Sequence, residues 1–204
     1  MTEERFNPLA MESLAEAIVQ KLMDTEPVPL DSLSKFAGAG IYAIYYVGAF
    51  PAYELVKDLN VGGQWRLPIY VGKAMPKGGR QGLDSDDGLP NTAVWSRLRE
   101  HAKSIAAAEN LDIRDFYARW LIVDEIWIAL GESALIRDTR PVWNATVDGF
   151  GNHNPGSGRY SGLVPLWDTL HPGREWAKRL KPRPADSKET IARDAKQYLE
   201  ERHR

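Results

Sequence analysis

Cysteine is absent from the 204 residues. That excludes a disulfide framework, a thiolate nucleophile, an iron–sulfur cluster and any zinc finger with thiolate ligands. No run approaches the roughly 18 apolar residues that a membrane span needs. The opening Met-Thr-Glu-Glu-Arg is acidic and lacks the apolar stretch of a secretory leader. The simplest expectation is a cytoplasmic protein. An excess of positive charge is also missing: 26 Lys and Arg face 28 Asp and Glu, for a net charge of −2. Bulk charge alone therefore does not advertise a nucleic-acid partner. Internal repeats and long low-complexity tracts are lacking too.

What is present suits a folded domain. Hydrophobic residues make up 43% and charged residues 26% of the chain, an ordinary balance for a globular protein. At this length about 70% of the unfolded surface can be buried, so no metal or disulfide is needed for stability. The charge is unevenly placed. Residues 1–60 hold four basic and nine acidic side chains, whereas residues 151–204 hold eleven and seven. The basic tail permits a polyanion to dock locally.

Apolar periodicity predicts a helix over 8–23, with Leu9, Leu14, Ile18, Val19 and Leu22 along it, stopped by Pro27 and Pro29. Gly40-Ile-Tyr-Ala-Ile-Tyr-Tyr-Val-Gly48 and Pro68-Ile-Tyr-Val-Gly72 read as strands. A stretch rich in Gly, Asp and Pro over 75–91 reads as irregular loop. Asn91 or Thr92 caps a helix to about Glu109, with Val94, Leu98, His101 and Ile105 on one side. A third strand within 116–129 leads to a helix around 128–138, ended by Arg140-Pro141. Residues 149–163 read as loop, and a last helix runs from about Ser187 to Glu201. The expected fold class is α+β: a small antiparallel or mixed central sheet flanked by helices, with helical additions at both ends.

Two strand-borne tyrosines organise the chemistry, Tyr42 in Gly40-Ile41-Tyr42 and Tyr70 in Tyr70-Val71-Gly72. Lys73-Ala74 follows the second. Arg97 and His101 lie four apart in Arg97-Leu98-Arg99-Glu100-His101, Glu132 sits in Leu130-Gly131-Glu132-Ser133, and Asn144 closes Arg140-Pro141-Val142-Trp143-Asn144. In order and approximate register these positions resemble the GIY-YIG nucleases over about residues 40–144. The resemblance implies a single domain with a nuclease core at 37–148, a helical extension at 1–36, insertions at about 49–67 and 75–92, and a DNA-contacting C-terminal part at 149–204. It also implies Tyr42, Tyr70, Lys73, Arg97, His101, Glu132 and Asn144 as the catalytic set, Glu132 as the acidic metal ligand, and products with 5′-phosphate and 3′-hydroxyl ends.

The residue types suit that chemistry. Phosphodiester hydrolysis needs a deprotonated water, in-line attack and neutralisation of charge on the non-bridging oxygens. A tyrosine with a pKa of about 10 is a poor base unaided. A nearby ammonium such as Lys73, three residues after Tyr70, would lower it, as would a metal acting on the shared water. Tyr70 is taken as the partner of that water, while Tyr42 could share or orient the role; the residues alone do not separate them. Arg97 and His101, at i and i+4, project from one helix face. Arg97 offers a planar fork to a phosphoryl oxygen, and His101 can pass a proton or hold a tyrosine hydroxyl. Glu132 is a hard oxygen ligand for Mg²⁺, with Mn²⁺ as a substitute. Asn144 is expected to fix the glutamate or a tyrosine by hydrogen bonds. Each residue also has an ordinary reading: core tyrosines, a solvated arginine face, a structural histidine, a glutamate in the first turn of its helix, a turn asparagine.

The chain departs from compact family members at its two insertions. Lys77, Arg80 and Gln81 in the second are expected to contact DNA. Gly78-Gly79-Arg80-Gln81-Gly82 lacks the Lys-Ser/Thr of a phosphate-binding loop and is no nucleotide site. Asn152, His153, Asn154 and Arg159 in the glycine-rich loop are candidates to reach bases. Arg174, Lys178 and Arg179 are candidates for phosphate contacts. Without an accessory module, the chain resembles the stand-alone type II restriction endonucleases of the subgroup that cuts CCGCGG. That implies double-stranded DNA as substrate, a homodimer on a palindromic site, and a cognate DNA methyltransferase as functional counterpart. A repair or mobile-element nuclease, or a non-catalytic DNA-binding module, is the alternative.

Overall fold

The computed structural model describes residues 10–76, 91–156 and 160–203. Helix α1 covers Met11–Met23, and a two-residue strand β1, Val28–Pro29, follows. Strand β2 is Gly40–Tyr46, and the short helix α2, Glu54–Asp58, follows it. Strand β3 is Tyr70–Ala74, α3 is Ala93–Ala107, β4 is Phe116–Ile122 and α4 is Glu125–Thr139. Three more helices complete the chain: α5 (Val142–Ala145), α6 (Leu166–Leu170) and α7 (Lys188–His203). The four strands form one antiparallel sheet in the order β1-β4-β2-β3, so the fold is α+β as expected.

The β-branched and aromatic run Gly40–Tyr46 becomes the fully buried inner strand because it pairs on both edges and is covered on both faces. Alternation then sorts the side chains. Tyr42, Ile44 and Tyr46, with Phe116 and Ala118, enter a large core that also holds Leu98 of α3 and Trp143 of α5. Ile41, Ala43 and Tyr45, with Val71, face a second core formed with Leu22, Ile128 and Leu135 of α1 and α4. The N-terminal helix is therefore packed into the body of the molecule. A Cβ on Gly131 would come within 2.8 Å of Ile18 and 3.1 Å of Ile41. Its absence lets α4 lie close to α1 and β2, which brings the next residue, Glu132, down toward the sheet.

Two expectations on α4 are corrected. The helix begins at Glu125 rather than near 128, so Glu132 stands in its middle and not in its first turn. Its end agrees: Arg140 takes the left-handed conformation (φ 44°) directly before Pro141. The strand β1 and the helices α2, α5 and α6 escaped the sequence reading because each is too short to show a period. The segment 49–67 is bound to the core by polar groups. Asn60, fully buried, donates to the carbonyls of Tyr46 (3.1 Å) and Leu67 (2.8 Å) and accepts from Leu67 N–H (3.0 Å). No helix among the described residues is long and apolar enough to cross a membrane.

Candidate active site

The register of the β2–β3 pair creates the site. Tyr42 lies opposite Gly72 and Ile44 opposite Tyr70, so both tyrosines share one sheet face, with ring centres 6.4 Å apart. A Cβ on Gly72 would stand 2.6 Å from Cζ of Tyr42, so the space above that glycine belongs to the phenol. From α3, His101 places Nε2 2.7 Å from Tyr42 Oη. Both side chains are sealed from solvent, Tyr42 at 0% and His101 at 2% exposure. Burial drives the His101 pKa well below its ordinary value, assisted by the positive charge of Arg97. Burial drives Tyr42 well above its own, assisted by Tyr70. The pair is thus a neutral imidazole and a neutral phenol joined by one hydrogen bond.

Tyr70 is half-buried and is the phenol that faces outward. Its ring meets His101 and Phe150 edge-on at 5.1 and 4.9 Å, and Phe150 in turn stacks on His101 at 4.5 Å. Burial raises the Tyr70 pKa, Arg97 opposes that rise, and the charge of Glu132 adds to it. Arg97, one turn before His101, donates from Nη2 to the carbonyl of Gly151 at 2.8 Å. Its Nη1 meets His153 Nε2 and approaches Glu100 at 3.4 Å.

Lys73 alternates to the other face of the edge strand, where its Nζ binds Glu132 Oε2 at 2.6 Å. Lys73 was expected to act on Tyr70, but the leading cation there is Arg97. Lys73 instead holds the carboxylate against the end of β3. Glu132 nevertheless acts on both phenols, opposing their ionisation. Asn144 is also corrected: its side-chain hydrogen bonds go to the strand backbone, not to the glutamate or a tyrosine. Its Oδ1 accepts from Val71 N–H and its Nδ2 donates to the Val71 carbonyl, each at 2.8 Å. The amide mimics a neighbouring strand on the open edge of β3 and so fixes the backbone between Tyr70 and Gly72.

The expected DNA contacts divide. Lys77, Arg80, Gln81 and Arg159 lie outside the described residues. Asn152, His153 and Asn154 are exposed, and Asn154 accepts from Tyr160 Oη at 2.7 Å. Arg179 lies 4.0 Å over the Tyr160 ring, and Lys178 pairs with Glu175 at 2.6 Å; both basic side chains are on the surface. Arg174 is not. It is 4% exposed and ion-paired with Asp168, so it has no face to offer a phosphate in this conformation. Phe150, Gly151 and Asp168 belong to the site's surroundings and were missed, because nothing in loop spacing marks a carbonyl or a ring for such a role.

The geometry can be compared with known proteins at this point. The family model described as the Eco29kI GIY-YIG domain matches residues 34–199. The chain belongs to that family. It therefore carries a GIY-YIG nuclease domain of the restriction type, for which DNA is the substrate. The match reaches well past the 40–144 span of the motifs and takes in the loop and helices of the C-terminal part. No curated protein matches the sequence.

Proposed function

We propose that the protein is a type II restriction endonuclease that cuts both strands of DNA at a palindromic GC-rich site, CCGCGG, with Mg²⁺ as cofactor. The observation that carries the nuclease chemistry is the convergence of Tyr42, Tyr70, Arg97 and His101 on one face of the β2–β3 pair, with Glu132 acting on both phenols from the edge. The specificity rests on resemblance to the subgroup. A palindrome cut on both strands calls for a two-fold homodimer, one site per strand. A methyltransferase of the same specificity would protect the host DNA.

The chain's own groups divide the work as follows. Tyr70 Oη, the outward phenol, accepts a hydrogen bond from the attacking water and aligns it with the phosphorus. Tyr42 and His101, both neutral and buried, hold the inner wall and set the position of the Tyr70 ring. Arg97 faces the non-bridging oxygens and offsets the charge that grows on them. As the water oxygen bonds to phosphorus it gives up a proton to solvent and the P–O3′ bond breaks; its electron pair leaves on O3′, which takes a proton from solvent, and the phosphate remains on the 5′ end.

Glu132 suits Mg²⁺ by its donor chemistry, since this ion keeps most of its waters and takes one or two carboxylates. The described residues contain no group of three or more metal-ligating side chains, so Glu132 would be the one carboxylate offered, with water completing the shell. When bound, the ion would acidify water and screen the phosphate. Lys73 would have to share or release the carboxylate it now holds.

Plasmid digestion tests the proposal. Discrete fragments that appear only with Mg²⁺, with 5′-phosphate ends mapping to one palindrome, are expected. Uncut plasmid with intact DNA binding would establish a binding module instead, and cleavage restricted to damaged duplex a repair enzyme.

A further inference from the structure

The turn Gly149–Asn152 is suspended between two arginines, and only one of them belongs to the site described above. Arg174 uses its whole fork. Its Nε donates to Asp168 Oδ1 at 2.6 Å, Nη1 to the carbonyls of Phe150 (3.0 Å) and Asn152 (3.1 Å), and Nη2 to the Gly149 carbonyl (2.9 Å) and to Asp168 Oδ2. The guanidinium is sandwiched between Trp167 and Trp176, 4.7 Å from each ring centre. Three of the four carbonyls of the turn therefore point at Arg174. The fourth, on Gly151, points the opposite way and receives Nη2 of Arg97. Between them Phe150 directs its ring onto His101 and Tyr70.

We propose that Arg174 is a positioning residue for the active site, acting through this turn to orient Arg97, Tyr70 and His101. The inference rests on the nuclease reading for its kinetic consequence but not for its geometry. A surface arginine contacting DNA would keep its donors free; this one has spent them on backbone that no base or phosphate can replace. The role also requires arginine. A lysine could keep the charge beside Asp168, but its single ammonium cannot address three carbonyls from one plane. Gly151 fits the same device. A Cβ there would stand 2.7 Å from Tyr70 Oη and 3.6 Å from Arg97 Nη2, so a side chain would press on both groups the turn positions.

The test uses the full chain with Arg174→Lys. The Nε–Hε cross-peak of Arg97, identified by its loss in Arg97→Ala, is followed by NMR alongside the near-UV circular dichroism. Mg²⁺-dependent cleavage of supercoiled plasmid is measured at saturating and limiting DNA. The cross-peak is expected to shift while the aromatic spectrum persists. kcat should fall by about 100-fold, the scale of a 1 Å misplacement, with KM changed by less than about threefold. Combined with Arg97→Ala, Arg174→Lys should cost much less than it does alone, because part of its effect passes through Arg97. An unmoved cross-peak, or a loss fully additive to that of Arg97→Ala, overturns the proposal. Should the wild-type chain leave plasmid uncut, the cross-peak still decides the positioning role while the nuclease reading fails. Should Arg174→Lys not fold, Gly151→Ala takes its place. That variant should move the same cross-peak, and Tyr70→Phe in the same chain should restore it by removing the clashing oxygen; an unmoved cross-peak refutes the role of the turn.

Discussion

Two buried histidines make this fold sensitive to acid. His101 bonds Tyr42, and His171 is fixed between Tyr53 Oη at 2.8 Å and Asn110 Oδ1 at 2.9 Å. Exposure is 2% for His101 and 0% for His171. Burial lowers both pKa values from the ordinary 6.5, His101 to well below it and His171 to about 3. The unfolded chain then binds protons that the folded chain refuses. Stability is therefore fully present above about pH 6.5 and declines as the pH falls toward the folded-state values. His171 contributes a slope approaching about 1.4 kcal/mol per pH unit below that point, and His101 acts in the same direction. His171 alone removes about 2 kcal/mol between pH 6.5 and 5, a sizeable part of the 5–15 kcal/mol typical of a domain, and His101 adds to that loss. Asp168 works the other way: burial raises its pKa, which softens the decline at lower pH. Urea denaturation at pH 7.0, 6.0 and 5.0 reads the slope directly, and His171→Gln should flatten it. A stability independent of pH over that range would refute the claim that both imidazoles are held neutral.

Other perturbations address the site. Arg97→Ala should slow plasmid cleavage by at least about 100-fold, the usual loss for one transition-state donor; a rate within a few-fold of wild type would remove Arg97 from the chemistry. Tyr70→Phe should have a similar effect on turnover with DNA binding preserved in a gel-shift assay, whereas unchanged turnover would shift the water-aligning role to Tyr42 or His101. Glu132→Ala should abolish Mg²⁺-dependent cutting without abolishing binding, and persistent cutting would exclude it as metal ligand. Asn144→Ala removes both bonds to the Val71 backbone and leaves part-buried polar groups unpaired, so a loss of about 1–3 kcal/mol is expected in chemical denaturation; no loss would mean that water takes over the strand edge.

Much of the site was legible because its residues sit on regular elements. Alternation along Gly40–Tyr46 and Tyr70–Ala74 and the four-residue spacing of Arg97 and His101 are local rules. They place side chains on faces whatever the rest of the chain does. Sequence order and the motif types thus single out the tyrosines, the arginine, the histidine and the glutamate as candidates, and the family match agrees with the nuclease-family reading.

What those rules could not reach is which partner each side chain meets. Alternation already turns Lys73, three residues after Tyr70, to the opposite face, but only the packing of α4 supplies Glu132 as its partner there. Asn144 stands 73 residues from Val71 and pairs with its backbone only because β3 is an edge strand. Arg174 reads in sequence as one more charge in a basic tail, and only folding surrounds it with Asp168, two indoles and three carbonyls. Residue type and period determine which elements form and which face each group takes. Long-range packing decides whether a charge faces solvent, a carboxylate or the backbone, because that outcome depends on the dielectric and partners that distant segments supply.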